Sequence, residues 1–170
     1  MPSTTTSPLI ENHSVYPTRE VKKIVRWTLA QFDLEKRRGL LIKVKHHGGG
    51  HMYQGRWYGN PDTHGVMLWD GTEIGPRVPR GVNALIICRV AKPVANAFPG
   101  THNRSLKGGP PPIECDSWQE ALVAITAHEA FHVRSWDTSL SRARRGRPRQ
   151  SEVECEWAEF RALKRWKESR

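Results

Sequence analysis

His128-Glu129-Ala130-Phe131-His132 sets two imidazoles four residues apart, with a carboxylate directly after the first. On an α-helix, positions i and i+4 lie one above the other on the same face, so both rings can reach a single ion. Glu129 sits one residue round, where its carboxylate can meet a water on that ion. The chemistry such a set serves is metal-assisted hydrolysis. Zinc held by three protein donors keeps a fourth position for water, Glu129 takes a proton as general base, and the hydroxide attacks a polarised carbonyl. A purely structural zinc site would close with four ligands and have no use for Glu129.

Two histidines leave the set one ligand short. The segment Ser151-Glu152-Val153-Glu154-Cys155-Glu156-Trp157-Ala158 supplies it, with Glu152 as the expected third ligand and Glu154 and Glu156 as alternatives in its place. Glu152 and Glu156 are four apart and share a helix face. With Glu152 on the metal, Glu156 is placed to accept the remaining imidazole N–H of His128 and fix its tautomer. A helix starting at Ser151, with Glu154 completing a capping box, would leave Glu152 at the first helical position. A start near Pro148, a favourable first-turn residue, seats Glu152 further inside and is the start expected here. The cofactor expected is one Zn2+ per chain.

These residues need elements to hold them. Ser117 with Glu120 three residues on forms a capping box for a helix to about Trp136, and Ala127, Ala130, Phe131 and Val133 give the motif the uncharged neighbours of a buried helix. A last helix covers roughly Ser151 to Lys167. Near the N-terminus, Thr18 caps a helix whose stripe is Val21, Ile24, Val25, Leu29 and Phe32. Leu40 to Lys45 alternates as a half-buried strand, and Val82 to Ala91 is a continuous apolar run suited to burial on both faces. Between them, Gly55–Tyr58 and Val66–Trp69 are short β-prone pieces among turn signals. Residues 93–114 read as a long loop. The expectation is one α+β domain over residues 18–170: a small mixed or antiparallel sheet packed with an N-terminal helix, a motif helix and a C-terminal glutamate-bearing helix. Residues 1–17, rich in Ser, Thr and Pro, read as a disordered leader, and residues 138–150 as a basic loop.

Of the 170 residues, 37% are hydrophobic and 26% charged, as in a globular domain. No apolar run approaches the roughly 20 residues that cross a bilayer, and the start lacks the pattern of a signal peptide. A cytoplasmic protein with no membrane partner is expected. Three scattered cysteines, Cys88, Cys115 and Cys155, form neither a disulfide framework nor a zinc ribbon. The net charge of +10 favours polyanions. Its densest run, Arg142 to Arg149, makes Arg144, Arg145 and Arg147 candidate contacts to DNA, or a means of recruiting a DNA-bound protein; the plainer reading is a solvated loop. His46, His47 and His51 flank three glycines, a candidate second metal site or a solvated loop. His64, His102, Tyr53 and Tyr58 are candidate oxyanion donors. Trp57 and Trp69 read as core residues by default, and are the candidates to line a groove or stack on bases.

The order helix, strands, motif helix, glutamate helix resembles the gluzincin branch of the zincin metallopeptidases, including compact intracellular forms such as ImmA/IrrE-like and SprT-like domains. The specific part of the resemblance is His128–His132 and Glu152–Ala158. In that branch the third-ligand glutamate is often followed four residues later by Asp or Asn, where this chain has Glu156. SprT-like enzymes take a third histidine instead, and Cys155, Ala158 and Phe160 match the ImmA/IrrE-like pattern loosely. The resemblance implies a zincin-like fold, a protein or peptide substrate, and an edge strand near strand 82–91 that pairs with an extended peptide. The function expected is therefore that of a zinc-dependent metallopeptidase. The alternatives are a basic, nucleic-acid-associated protein with a structural zinc, and a degenerate zincin that binds peptides uncut.

Overall fold

The apolar stripe near the N-terminus builds its helix as its spacing requires: Val21, Ile24, Val25 and Leu29 are all fully buried. The computed structural model describes residues 7–48, 52–61, 66–69, 73–102, 106–139 and 148–170. In chain order the elements are β1 (Leu9–Asn12), α1 (Thr18–Ala30), β2 (Leu40–His46), β3 (Tyr53–Pro61), β4 (Val66–Trp69), β5 (Glu73–Arg77), β6 (Ala84–Val90), β7 (Gly100–His102), β8 (Ile113–Cys115), α2 (Trp118–Ser139) and α3 (Pro148–Glu168). The class is α+β, with a mixed sheet and three helices among the described residues.

The main sheet runs β1-β2-β6-β3-β4-β5. β1, β2 and β6 are parallel, whereas β3, β4 and β5 join as an antiparallel meander. Helix α1 is the crossover between parallel β1 and β2, which a two-residue turn could not make. Side-chain alternation sorts β2 and β6 onto two faces. Leu40, Ile42 and Val44 with Ala84, Ile86, Cys88 and Val90 join the core shared with the helices. Leu41, Leu85 and Ile87 join a smaller cluster on the other face with Val82 and the partly buried Leu9, Tyr58 and Val78. Leu40–Lys45 keeps the expected alternation, Leu40, Ile42 and Val44 facing the helices and Lys43 and Lys45 partly exposed on the other face, with Leu41 an added buried residue there.

Several expectations shift. The leader expected over residues 1–17 is corrected at Leu9–Asn12, which pairs in parallel with β2 from Leu9↔Leu41 to Asn12↔Val44. Asn12 then turns the chain into α1, its side chain accepting from Ser14 N–H and donating to the Tyr16 carbonyl and the Thr18 hydroxyl. Pro17, not Thr18, occupies the N-cap position, and its carbonyl accepts from Val21 N–H at 2.9 Å. β5 was not anticipated, and the loop expected at 93–114 contains the β7–β8 pair. At α2 the cap is a shifted box: Ser117 Oγ accepts from Glu120 N–H, while Glu120 Oε2 reaches back to Asp116 N–H. The last helix begins at Pro148, the earlier of the two starts weighed. Among the described residues no helix is long and apolar enough to cross a membrane.

Candidate metal centre

Strand β3 and helix α2 meet face to face, and the motif lies at their contact. Alternation along β3 turns Tyr53, Gly55 and Trp57 to the helix side. A Cβ on Gly55 would meet Glu129, the Trp57 ring stacks on His132 at 5.8 Å between centroids and 17° between planes, and a Cβ on Gly59 would touch Trp136. The matching helix positions, 129, 132 and 136, follow the i, i+3, i+7 spacing of one helix stripe. His128 and Glu129 are buried, with 3% and 5% of their surface exposed.

Helix α3 closes the site from the other side. Glu152 Oε1 lies 2.8 Å from His132 Nε2, and Glu152 Oε2 lies 3.3 Å from His128 Nε2. One carboxylate therefore spans both ring nitrogens. Cys155, three residues on and fully buried, brings its thiol into the same cluster: the donor atoms of His128, His132 and Cys155 all lie within 4.8 Å of one another. Glu159, seven residues after Glu152, is fully buried and sits behind His128, its Oε2 3.0 Å from His128 Nδ1. Its other oxygen accepts from the Tyr53 hydroxyl, and His102 Nδ1 is 3.9 Å away.

The expectation that Glu156 would accept from His128 is corrected: Glu159 holds that place. Glu156, buried at 2%, lies instead against the 106–112 segment, where a Cβ on Gly109 would come within 2.7 Å of its Oε2. Trp157 pins the same segment by donating from Nε1 to the Gly108 carbonyl at 2.7 Å.

The electrostatics suit a cation. Burial alone would raise the Glu152 carboxyl, but hydrogen bonds and charge from His128 and His132 outweigh it and hold the group far below the usual carboxylate range. Burial pushes the Glu159 carboxyl well up. His128 Nδ1 faces Glu159, which leaves Nε2 as the ring nitrogen that an ion would take in place of its contact with Glu152. Imidazole, carboxylate and thiolate are donors of the kind that transition-metal sites use. The His128, His132 and Cys155 group could hold a metal ion on these distances.

The open side of β3 adjoins this centre. The Met52 carbonyl accepts from Ala91 N–H, which places Gln54, Arg56 and Tyr58 in the pairs bonded to β6. The backbone groups of Tyr53, Gly55 and Trp57 therefore point the other way, toward the side where Gly59 pairs with Leu68 of β4. Among the described residues no strand pairs with Tyr53–Tyr58 on that side.

The other candidates part from the site. His46 is tied at both nitrogens, Nε2 accepting from Val15 N–H and Nδ1 facing the Val90 carbonyl. His47 Nε2 meets Gln54 Oε1. His51, His64, Arg144, Arg145 and Arg147 lie outside the described residues, as does the side chain of Trp69. Tyr53 and His102 cluster at Glu159, whereas Tyr58 faces the second cluster. Cys155 and Glu159 escaped the sequence reading, although i+3 and i+7 from Glu152 is a signal for both. No protein-family model, curated protein or solved structure matches this chain.

Proposed function

We propose that the protein is a zinc-dependent metallopeptidase that hydrolyses peptide bonds in a protein substrate. The observation that carries this reading is the Glu152 carboxylate spanning His128 Nε2 and His132 Nε2, beside the buried Glu129. His128, His132 and Glu152 would hold the metal, and Glu159 orients His128 through Nδ1. When bound, zinc supplies Lewis acidity that polarises a carbonyl and makes a water acidic. Glu129 acts as general base, receiving the proton and passing it to the leaving amine. Its carboxylate is held for this against the β3 backbone at Gly55. An extended peptide adding to the outward backbone groups of Tyr53, Gly55 and Trp57 would run past Glu129 with its carbonyls in reach.

Zinc content and casein cleavage, followed in wild type, Glu129→Gln and Glu152→Ala, test the reading. One zinc per chain in wild type and Glu129→Gln, with cleavage lost in the latter and zinc affinity sharply lowered in Glu152→Ala, is the expected pattern. A Glu129→Gln protein as active as wild type would remove Glu129 from its role, and with it the peptidase.

The basic surface motivates a second reading, in which the chain also contacts DNA. Arg19, Lys23 and Arg26 of α1 and Arg161, Lys164 and Arg165 of α3 are exposed, and Arg165 donates to Gln31 just past α1. Binding to duplex DNA should then weaken steeply with salt. No binding at low salt would dismiss it.

A further inference from the structure

Resting on the metal site just described, we propose that Cys155 is a fourth protein ligand, a thiolate that closes the coordination sphere of His128, His132 and Glu152. Glu152 and Cys155 are three residues apart on α3 and so point from one helix face. Both reach the same histidine pair, Glu152 by its two oxygens and Cys155 by a thiol in the cluster whose donor atoms lie within 4.8 Å of one another. In a tetrahedral zinc site, bonds of about 2.0–2.3 Å put neighbouring donors about 3.3–3.7 Å apart. Closing the 4.8 Å span to that spacing asks the donor side chains to move inward by up to about 1.5 Å.

Charge argues the same way. Two neutral imidazoles and one carboxylate leave a divalent ion with one net positive charge beside fully buried Cys155 and nearly buried His128. A thiolate ligand brings the coordination sphere itself to neutrality, which Glu129, a carboxylate beside the sphere and not in it, does not do. The soft sulfur also sets metal preference, favouring zinc or cadmium over magnesium, calcium or manganese. Four protein donors leave no position for water, so the resting protein is closed. The hydrolysis proposed above then proceeds only from the fraction of molecules in which Cys155 has left the metal, so this thiol sets the level of wild-type casein cleavage.

The test is absorption spectroscopy of the full chain loaded with Co2+ in place of zinc. A thiolate ligand gives a near-ultraviolet sulfur-to-cobalt charge-transfer band alongside the visible bands of tetrahedral cobalt. Wild type is expected to show both. Cys155→Ala should lose the charge-transfer band and, with water entering, show weaker visible bands, while Cys88→Ala and Cys115→Ala keep the wild-type spectrum. Visible bands without a charge-transfer band in wild type would overturn the role of Cys155 and leave the His128–His132–Glu152 site standing. Failure of wild type to take up cobalt or zinc at all would overturn both. The wild-type spectrum decides the matter even if Cys155→Ala folds poorly.

Discussion

Gly55 and Glu129 touch only because residue 55 has no side chain: a Cβ there would lie 2.5 Å from Glu129 Oε1 and 2.7 Å from its Cγ. Because Cγ is involved as well as the tip, the whole Glu129 side chain must move to admit a methyl group. Gly55→Ala is expected to cost about 1–3 kcal/mol in denaturant unfolding, the usual range for overpacking. It should also lower casein cleavage while leaving zinc content at the wild-type level. Combined with Glu129→Ala, which removes the atoms in the way, its stability cost should shrink well below the sum of the single effects. Strict additivity would mean that the two residues do not meet.

Glu159 and Glu156 make a matched pair for testing what steadies His128. Both are buried glutamates on α3, but Glu159 Oε2 is the atom 3.0 Å from His128 Nδ1. Glu159→Gln, which carries no charge and keeps one oxygen to accept, should weaken zinc binding by about 10-fold, the low end of what changing the group behind a ligating histidine costs. Glu156→Gln, whose site faces Gly109, should leave affinity within a few-fold of wild type and act on stability instead. Competition with a chromophoric chelator reads both. Equal losses in the two variants would deny Glu159 its special place.

The same pair shows where sequence reasoning stopped. Each helical residue turns about 100°, so position i+4 lies about 40° from Glu152 and position i+7 about 20° on the other side. Periodicity allows either glutamate behind His128, and the way α3 packs on α2, a tertiary property, brings Glu159 there. Cys155 is legible only through its spacing of three from Glu152, since a cysteine without a C-x-x-C partner gives no metal signal of its own. By contrast, the α1 stripe and the β6 run were readable, since a period of 3.6 or an unbroken apolar stretch carries its own burial signal. Leu9–Asn12 was not, because four residues with one charge and one amide acquire strand character only through pairing with β2.

Two thiols should make the fold sensitive to alkali. Burial pushes Cys88 up to about 12 from an ordinary 9.0, with the Thr126 hydrogen bond opposing and the Glu129 charge adding. Cys115 also rises to about 12, chiefly by burial. A thiol whose pKa is raised by folding contributes fully below its unfolded value and loses that contribution as pH climbs toward the folded one. Stability should therefore fall above about pH 9, by up to about 1.4 kcal/mol per pH unit for each thiol. Thermal melts across this range should show a shallower fall in Cys115→Ala. At about pH 8, only about one in 10,000 of either thiol is ionised, so native Cys88 and Cys115 should resist iodoacetamide until the chain unfolds. Rapid labelling of both in the native protein would contradict their burial.

Arg37 fastens the far end of the motif helix to the sheet. Its Nε and Nη2 lie 2.6 and 2.7 Å from the two oxygens of Asp137, and Nη1 lies 2.7 Å from Asn83 Oδ1. Asp137 is in the last turn of α2, five residues beyond His132, while Asn83 immediately precedes β6. One guanidinium thus joins the end of the helix to the entry of a central strand. The side chains are 13% and 28% exposed, so solvent screens this pair less than a surface one, and the fork geometry is one that lysine cannot reproduce. Arg37→Lys, which keeps the charge, should still cost about 1–2 kcal/mol by urea unfolding. Arg37→Ala should cost more, because it leaves a carboxylate at a helix C-terminus, where the dipole disfavours negative charge. Adding Asp137→Asn to Arg37→Ala should recover part of that loss, since the amide carries no charge to strand there. If all three variants unfold within about 0.5 kcal/mol of wild type, as ordinary surface substitutions do, the clamp is not what seats α2. The end of the helix that carries His132 must then be held by its packing against β3, α1 and α3.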